Sequence, residues 1–295
     1  MSTVEVESAR PAVRPGAGDS LTALAALRRD RPVVARQARR PDDPSAWSIA
    51  VGRVAIIVGV FALWEIGARA GLIDPFFWSQ PSQIWQTARV AFADGGLIED
   101  TVFTFSSTLY GFALGVGGGV LIGLSFWWSR RYALLVEPLV IAFEAMPKLA
   151  LAPIIVLVLG LGMSSKVAMA TALVIVIQIL NTYTAVRAVD DDLTTLMYSL
   201  GATRWQVFTK VVVPSVLPWV ISSLRVAIGL ALTGAVVGEY IGSDKGLGRT
   251  IHYAGSTFEI SLIWVGVFTL AALSMVLYLV VTWLERRLLK GLTHA

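Results

Sequence analysis

The chain has 295 residues, of which 56% are hydrophobic and only 15% charged, and its mean hydropathy is +0.70. Soluble domains carry about 25% charged residues, so this composition points to the bilayer. There is no cysteine, and His252 and His294 are the only histidines, which excludes disulfides, thiolate nucleophiles, Cys- or His-based metal centres and a Ser-His-Asp triad of the usual kind. The net charge of +4 is not a nucleic-acid signal. Nine of the 24 Lys/Arg lie in the first 53 residues and most others flank apolar segments, a topological pattern.

Residues 1–46 are rich in Arg, Pro, Ala and Asp without a sustained apolar period, and read as a largely disordered tail with a short helix around Leu21–Leu27. No apolar core precedes a cleavage site there, so no cleaved signal peptide is expected. Six stretches then reach the roughly 20 apolar residues that a hydrocarbon core requires. They are Ile49–Ala70, Thr108–Trp128, Ala133–Leu161, Val167–Ala188, Val220–Ile241 and Leu262–Leu284. The tail, Arg130–Arg131, the connector with Arg187, Arg204 and Lys210, and Arg286, Arg287 and Lys290 fall on one side. The positive-inside rule makes that side cytoplasmic and gives an all-α polytopic membrane protein with six spans and both termini inside.

In the first outside loop, Ile84, Trp85, Ala88, Ala91 and Phe92 form a helical apolar stripe, with Ser82 as the expected N-cap. This predicts a short helix on the outer face. The second span carries Gly111, Gly115, Gly119 and Gly123, four residues apart, a strip on which another backbone can pack closely. The third carries Glu144 and Lys148, spaced to pair on one helix face, and Pro147 and Pro153, which should kink or interrupt the helix. Such a segment either lines a translocation pathway or holds an internal salt bridge. Gln178 and Asn181 share a face of the fourth span and can bond another helix or touch a polar solute.

Between the fourth and fifth spans lies Asp190–Pro218, an amphipathic connector on the cytoplasmic side. Leu193, Leu196, Met197 and Leu200 follow i, i+3, i+4, i+7 and form one apolar stripe, with Asp190–Asp192 complementing the helix N-terminus. Gly201 fits the position that ends such a helix. Thr203 caps a second one whose apolar face is Trp205, Phe208, Val211 and Val212, and Pro214 and Pro218 mark re-entry to the membrane. In the fifth span Arg225 reads as a snorkelling residue, and Glu239 as a gate or local pair near the outer end. Gly246-Leu247-Gly248 reads as a turn, and the chain has no GxxxxGK[ST] phosphate loop.

The connector resembles the EAA loop of binding-protein-dependent ABC importer permeases, whose motif runs Glu-Ala-Ala, three residues, Gly, nine residues, Ile-x-Leu-Pro. Gly201, Val211, Val213 and Pro214 fall on its Gly, Ile, Leu and Pro positions, while Thr195, Leu196 and Met197 replace Glu-Ala-Ala. Ser79–Ser82, Pro147–Pro153 with Gly160, Asn181-Thr182 with Val186-Arg187 and Asp190, and Gly238–Ile241 with Gly246–Gly248 resemble the nitrate/sulfonate/taurine-type branch in family order.

The resemblance implies the type I ABC importer transmembrane-domain fold in the bacterial inner membrane. It divides the chain into a tail (1–46), a first span with a periplasmic interfacial helix (47–103), a permease core (104–287) with a coupling helix over 190–201, and a tail (288–295). It implies a second copy of the permease, a cytosolic ABC ATPase dimer that binds ATP and Mg, and a periplasmic or lipid-anchored solute-binding protein. The chain itself holds no cofactor, no metal and no catalytic residue. Coupling is expected at Leu193, Leu196, Met197, Leu200, Gly201 and Arg204, and the pathway at Glu144, Lys148, Gln178, Asn181 and Glu239, for a small anionic solute such as a sulfonate, nitrate or taurine. The rival reading is an ion-gradient-driven secondary transporter using Glu144 and Glu239.

Overall fold

The computed structural model describes residues 46–292, so the tail and the helix expected at Leu21–Leu27 lie outside the described residues. The chain divides after Val58 into two units. The described part of the first, residues 46–58, is the opening half of helix α1 (Ala46–Arg69). Every regular element among the described residues is helical.

Five helices are long and apolar enough to cross a membrane: Trp47–Arg69, Gly96–Trp128, Met163–Arg187, Arg204–Ile241 and Ile260–Lys290. A bent pair, Arg130–Ala145 and Lys148–Leu159 at 79°, is together long and apolar enough to make a sixth, broken span. The break between α5 (Arg130–Ala145) and the 3₁₀ turn Lys148–Leu151 follows from Pro147. Its ring drives the preceding Met146 out of helical geometry to ψ 137°, and Pro147 has no N–H to extend the ladder. Pro153 breaks nothing, because it sits in the first turn of α6 (Ala152–Leu159), where its missing N–H is not needed. The freed end of α5 is satisfied by Lys148, whose ammonium reaches the Glu144 carbonyl at 3.0 Å and its carboxylate at 2.9 Å.

The core is three helices, α4 (Gly96–Ser125), α7 (Met163–Arg187) and α10 (Val213–Ile241). The glycine strip decides how two of them pack. A Cβ on Gly111, Gly115, Gly119 or Gly123 would lie 2.2, 2.6, 2.6 or 2.5 Å from the Cβ of Ala170, Val174, Gln178 or Thr182, respectively. Both series rise together by four, so α4 and α7 run parallel, one turn matched to one turn. α10 runs the other way: Gly234 lies against Ala170, and Gly238 against Lys166 and Met169. Its Ala227, Ala231 and Ala235 complete a cluster of small buried side chains with Ala170 and Val174. With lipid on the outside, such close backbone approach, rather than hydrophobic burial, holds the three helices together.

Helix α12 (Ile260–Leu292) covers α10 through Val265, Leu273, Leu277 and Val281, packed with Leu224, Ile228 and Leu232. Arg225 does not snorkel. Its guanidinium meets the buried Glu285 carboxylate at 2.7 Å, joining α10 to α12, because ion pairing offsets the cost of placing either charge there. In the first loop, α2 (Pro75–Trp78) precedes α3 (Pro81–Ala93). Ser82 is not the N-cap of α3; Gln80 occupies that position without a side-chain cap. The Ser82 N–H instead donates to Glu65 of α1 at 3.0 Å, so a neighbouring helix supplies the capping oxygen.

Candidate functional site

The connector folds as two short helices around one turn. In α8 (Asp191–Ser199), Asp190 is the N-cap and accepts from the Asp192 N–H at 2.8 Å. The other end closes with Ala202 N–H on Met197 O (3.0 Å) and Gly201 N–H on Tyr198 O (2.9 Å). That paired closure puts Gly201 at φ +80°, where a Cβ would be strained. Thr203 and Gln206 form a reciprocal capping box on α9 (Arg204–Val207), which runs through a π-helical turn at Phe208–Val212 into α10. Pro214 and Pro218 therefore lie inside one continuous helix rather than at a re-entry point, Pro214 in its first turn and Pro218 in its interior.

Leu193, Leu196 and Leu200 are 48%, 55% and 75% exposed, with Met197 half-buried beside them. The ridge has no partner within the described residues of this chain. Arg204 points the other way. It donates to the carbonyl of Trp128 and stacks 5.2 Å over both the Trp127 and Trp128 rings. Trp128, Trp205 and Phe208 pack ring to ring at 5.4–5.9 Å. The base of the connector is thus pinned to the end of α4, while a cleft of about 400 Å³ lined by Arg187, Asp191, Tyr198 and Arg204 adjoins α8.

The five residues expected along a pathway stand in three places. Glu144 and Lys148 pair across the α5–α6 break. Gln178 is fully buried in the seam against Gly119 and accepts from Ser223 of α10 at 3.0 Å, leaving its amide nitrogen without a partner; Asn181 lies half-buried one turn on. Glu239 lies at the far end of α10, about 18 Å along the bundle by helical rise from Gln178. A separate groove of about 800 Å³ runs between α4 and α7, lined by Tyr110, Leu114, Ser164, Val167 and Thr171 among others, and none of its lining residues is charged.

Glu239 belongs to a polar cluster that the sequence pattern did not reveal. Its Oε2 accepts from the Thr104 hydroxyl and the Gly248 N–H, both at 2.9 Å. Asp100 accepts from the Gly246 N–H at 2.7 Å and the Thr250 hydroxyl at 2.5 Å. The turn closes so tightly over the carboxyl that a Cβ on Gly246 would lie 2.3 Å from it. Lys166, fully buried, places its ammonium on Leu161 O (2.6 Å), Gly242 O (2.5 Å) and the Ser165 hydroxyl (3.1 Å). The cluster ties the ends of α4, α7 and α10 to α11 (Leu247–Ser256). One readable signal was a lysine beside a long apolar run. At its exposed edge, Glu99 pairs with Lys245 and holds that ammonium above its ordinary range, so this pair persists at neutral pH and is lost as pH rises through the raised ammonium pKa.

Residues 115–292 match the model of the family described as binding-protein-dependent transport system inner membrane component. The chain belongs to this family. Relatives of the permease include the formylaminopyrimidine transport permease ThiX of Halalkalibacterium halodurans, 32% identical over 78% of this chain and 91% of its own. The riboflavin transport system permease RibX of Chloroflexus aurantiacus is 32% identical, covering 82% and 90%. The taurine permease TauC of Escherichia coli is 24% identical, covering 82% and 88%. In fold, the permease resembles a chain of the inward-facing methionine ABC transporter MetNI, with a TM-score of 0.53 and 20% identity, covering 72% of this chain and 99% of that one.

The permease is therefore a multi-pass inner-membrane transport subunit with the type I importer fold, and ATP hydrolysis belongs to a partner ATPase. Membership sets aside the secondary-transporter reading.

Proposed function

We propose that two copies of this permease enclose the solute path and that α8 seats in a cytosolic ATPase dimer, with both chain termini on that side. A binding protein delivers solute from the opposite face. The observation that carries the reading is the exposed Leu193–Leu196–Leu200 ridge on a helix closed at both ends. Fully burying one such leucine stabilises a contact by about 1.5–3 kcal/mol, so three supply a firm seat without the missing Glu-Ala-Ala glutamate. ATP and Mg stay with the ATPase.

Leu196→Asp is expected to leave membrane insertion intact while solute-stimulated ATPase activity of the reconstituted importer falls at least about tenfold, since docking would bury an unpaired charge. Undiminished stimulation would remove the docking reading. Gly201→Val should act on the same readout by a different route. Its Cβ has open space but the wrong φ, so about 1–3 kcal/mol of strain falls on the turn that aims the ridge.

The solute is a small polar organic molecule. The uncharged groove between α4 and α7 offers no fixed countercharge, and this supports nitrogen heterocycles beside sulfonates as the class carried. The two 32% identical relatives, named for a formylaminopyrimidine and for riboflavin, support the heterocycles. Mass spectrometry of the ligand retained by the partner binding protein decides between them.

A further inference from the structure

A second groove, which transport as proposed does not use, lies between α3 and α12. Its walls include Phe61 of α1, Trp85, Ala88 and Phe92 of α3, and Phe268 and Ala272 of α12, around about 460 Å³. The floor is fixed by a cluster in which Phe61 and Trp64 meet Trp264 and Phe268 with centroids 5.0–6.1 Å apart. The one hydroxyl on the wall, Thr269, is engaged with the Val265 carbonyl at 2.7 Å, so the interior presents carbon. Because α1 and α12 are long and apolar enough to cross a membrane, a groove on their outer side would meet lipid acyl chain rather than water.

The helix that forms one wall carries a charge. Arg89 stands four residues after Trp85 and three before Phe92, hence on the same side of α3 as these two wall residues. It is exposed, and no hydrogen bond or ion pair among the described residues involves its guanidinium. Trp85, 67% exposed, sits one turn away, as ring systems do at a headgroup boundary.

We propose that this groove is a phospholipid site: one acyl chain lies along α12 between Trp85 and Phe268, and the phosphodiester pairs with Arg89. An anion with an attached chain answers both features, an unpaired cation and a carbon-lined slot beside it, and its binding wedges α3 against the last span.

The test uses the full-length protein, delipidated in detergent and re-exposed to phosphatidylglycerol or to diacylglycerol of the same chains, with retention read by native mass spectrometry. Wild type is expected to keep one phosphatidylglycerol per chain and no diacylglycerol. Arg89→Gln, a surface change that leaves folding intact, should lower retention about fivefold, the scale of one exposed charge pair. Ala88→Phe with Ala272→Phe should abolish it by filling the slot. No retention by wild type, equal retention of diacylglycerol, or undiminished retention in either variant overturns the proposal. So does a disulfide-linked dimer through Thr269→Cys in this cysteine-free chain, which would make the occupant a second copy.

Discussion

Replacing Lys166 by Met is expected to lower the unfolding free energy of the purified permease by about 3–5 kcal/mol, the usual cost of deleting one partner from a buried charged cluster. The side chains are of similar length, so the loss is one of charge and hydrogen bonds rather than volume. Without the ammonium, the part-buried carbonyls of Leu161 and Gly242 lose a donor, and the buried Glu239 loses its nearby cation. Gly242 ends α10 and Leu161 follows α6, so the lysine also offsets the negative ends of two helices at once. Adding Glu239→Gln to Lys166→Met should recover part of the loss, because the amide no longer leaves a buried charge unbalanced. A coupling of about 1 kcal/mol or more in that double-mutant cycle supports direct communication. Additive losses would mean that the two residues stabilise separate sites. Lys245→Met provides the contrast: its pair with Glu99 is exposed, and its effect on unfolding should be slight.

This cluster also shows where sequence reading stopped. The spans were legible because hydropathy is a property of composition, and the connector because capping and i, i+4 periodicity are local. The end of α8 at Gly201, the Thr203 cap and the Pro147 break all lie where a dipeptide or a single helical period would put them. In the sequence Lys166 is only a charge beside an apolar run, and Gly246–Gly248 only a turn. Lys166 takes its meaning from Gly242, 76 residues away in the chain, and the turn from Asp100 and Thr104, 146 and 143 residues away. The Ser82 cap failed for the same reason, since its N–H found Glu65 on another helix. Arg225 reads alone in the sequence because Glu285 is 60 residues away, just past the end of the last expected span at Leu284. The local rules held where the partner was local.

The glycine strip is the intermediate case: its spacing was readable, its partner was not. Gly119→Val is expected to cost about 2–3 kcal/mol or more in unfolding free energy and to reduce the yield of folded protein, as overpacking does in a closed seam. A Cβ there lies 2.6 Å from that of Gln178 and 2.8 Å from the Ile175 carbonyl, and the carbonyl is backbone that cannot rotate away. Gly117→Ala, two residues earlier on the same helix, should behave oppositely. Nothing lies within 4 Å of its Cβ position, so the alanine should gain about 0.5–1 kcal/mol of helix stability. Equal effects at the two sites, read as unfolding of the purified protein, would mean that the seam is not tightly closed in the membrane. If the effects diverge, α4 and α7 are closed along their length by the strip, and Lys166 ties α7 to the end of α10. Any opening of the solute path within a copy then falls to the α5–α6 break at Met146–Pro147, where the chain leaves helical geometry and bends by 79°.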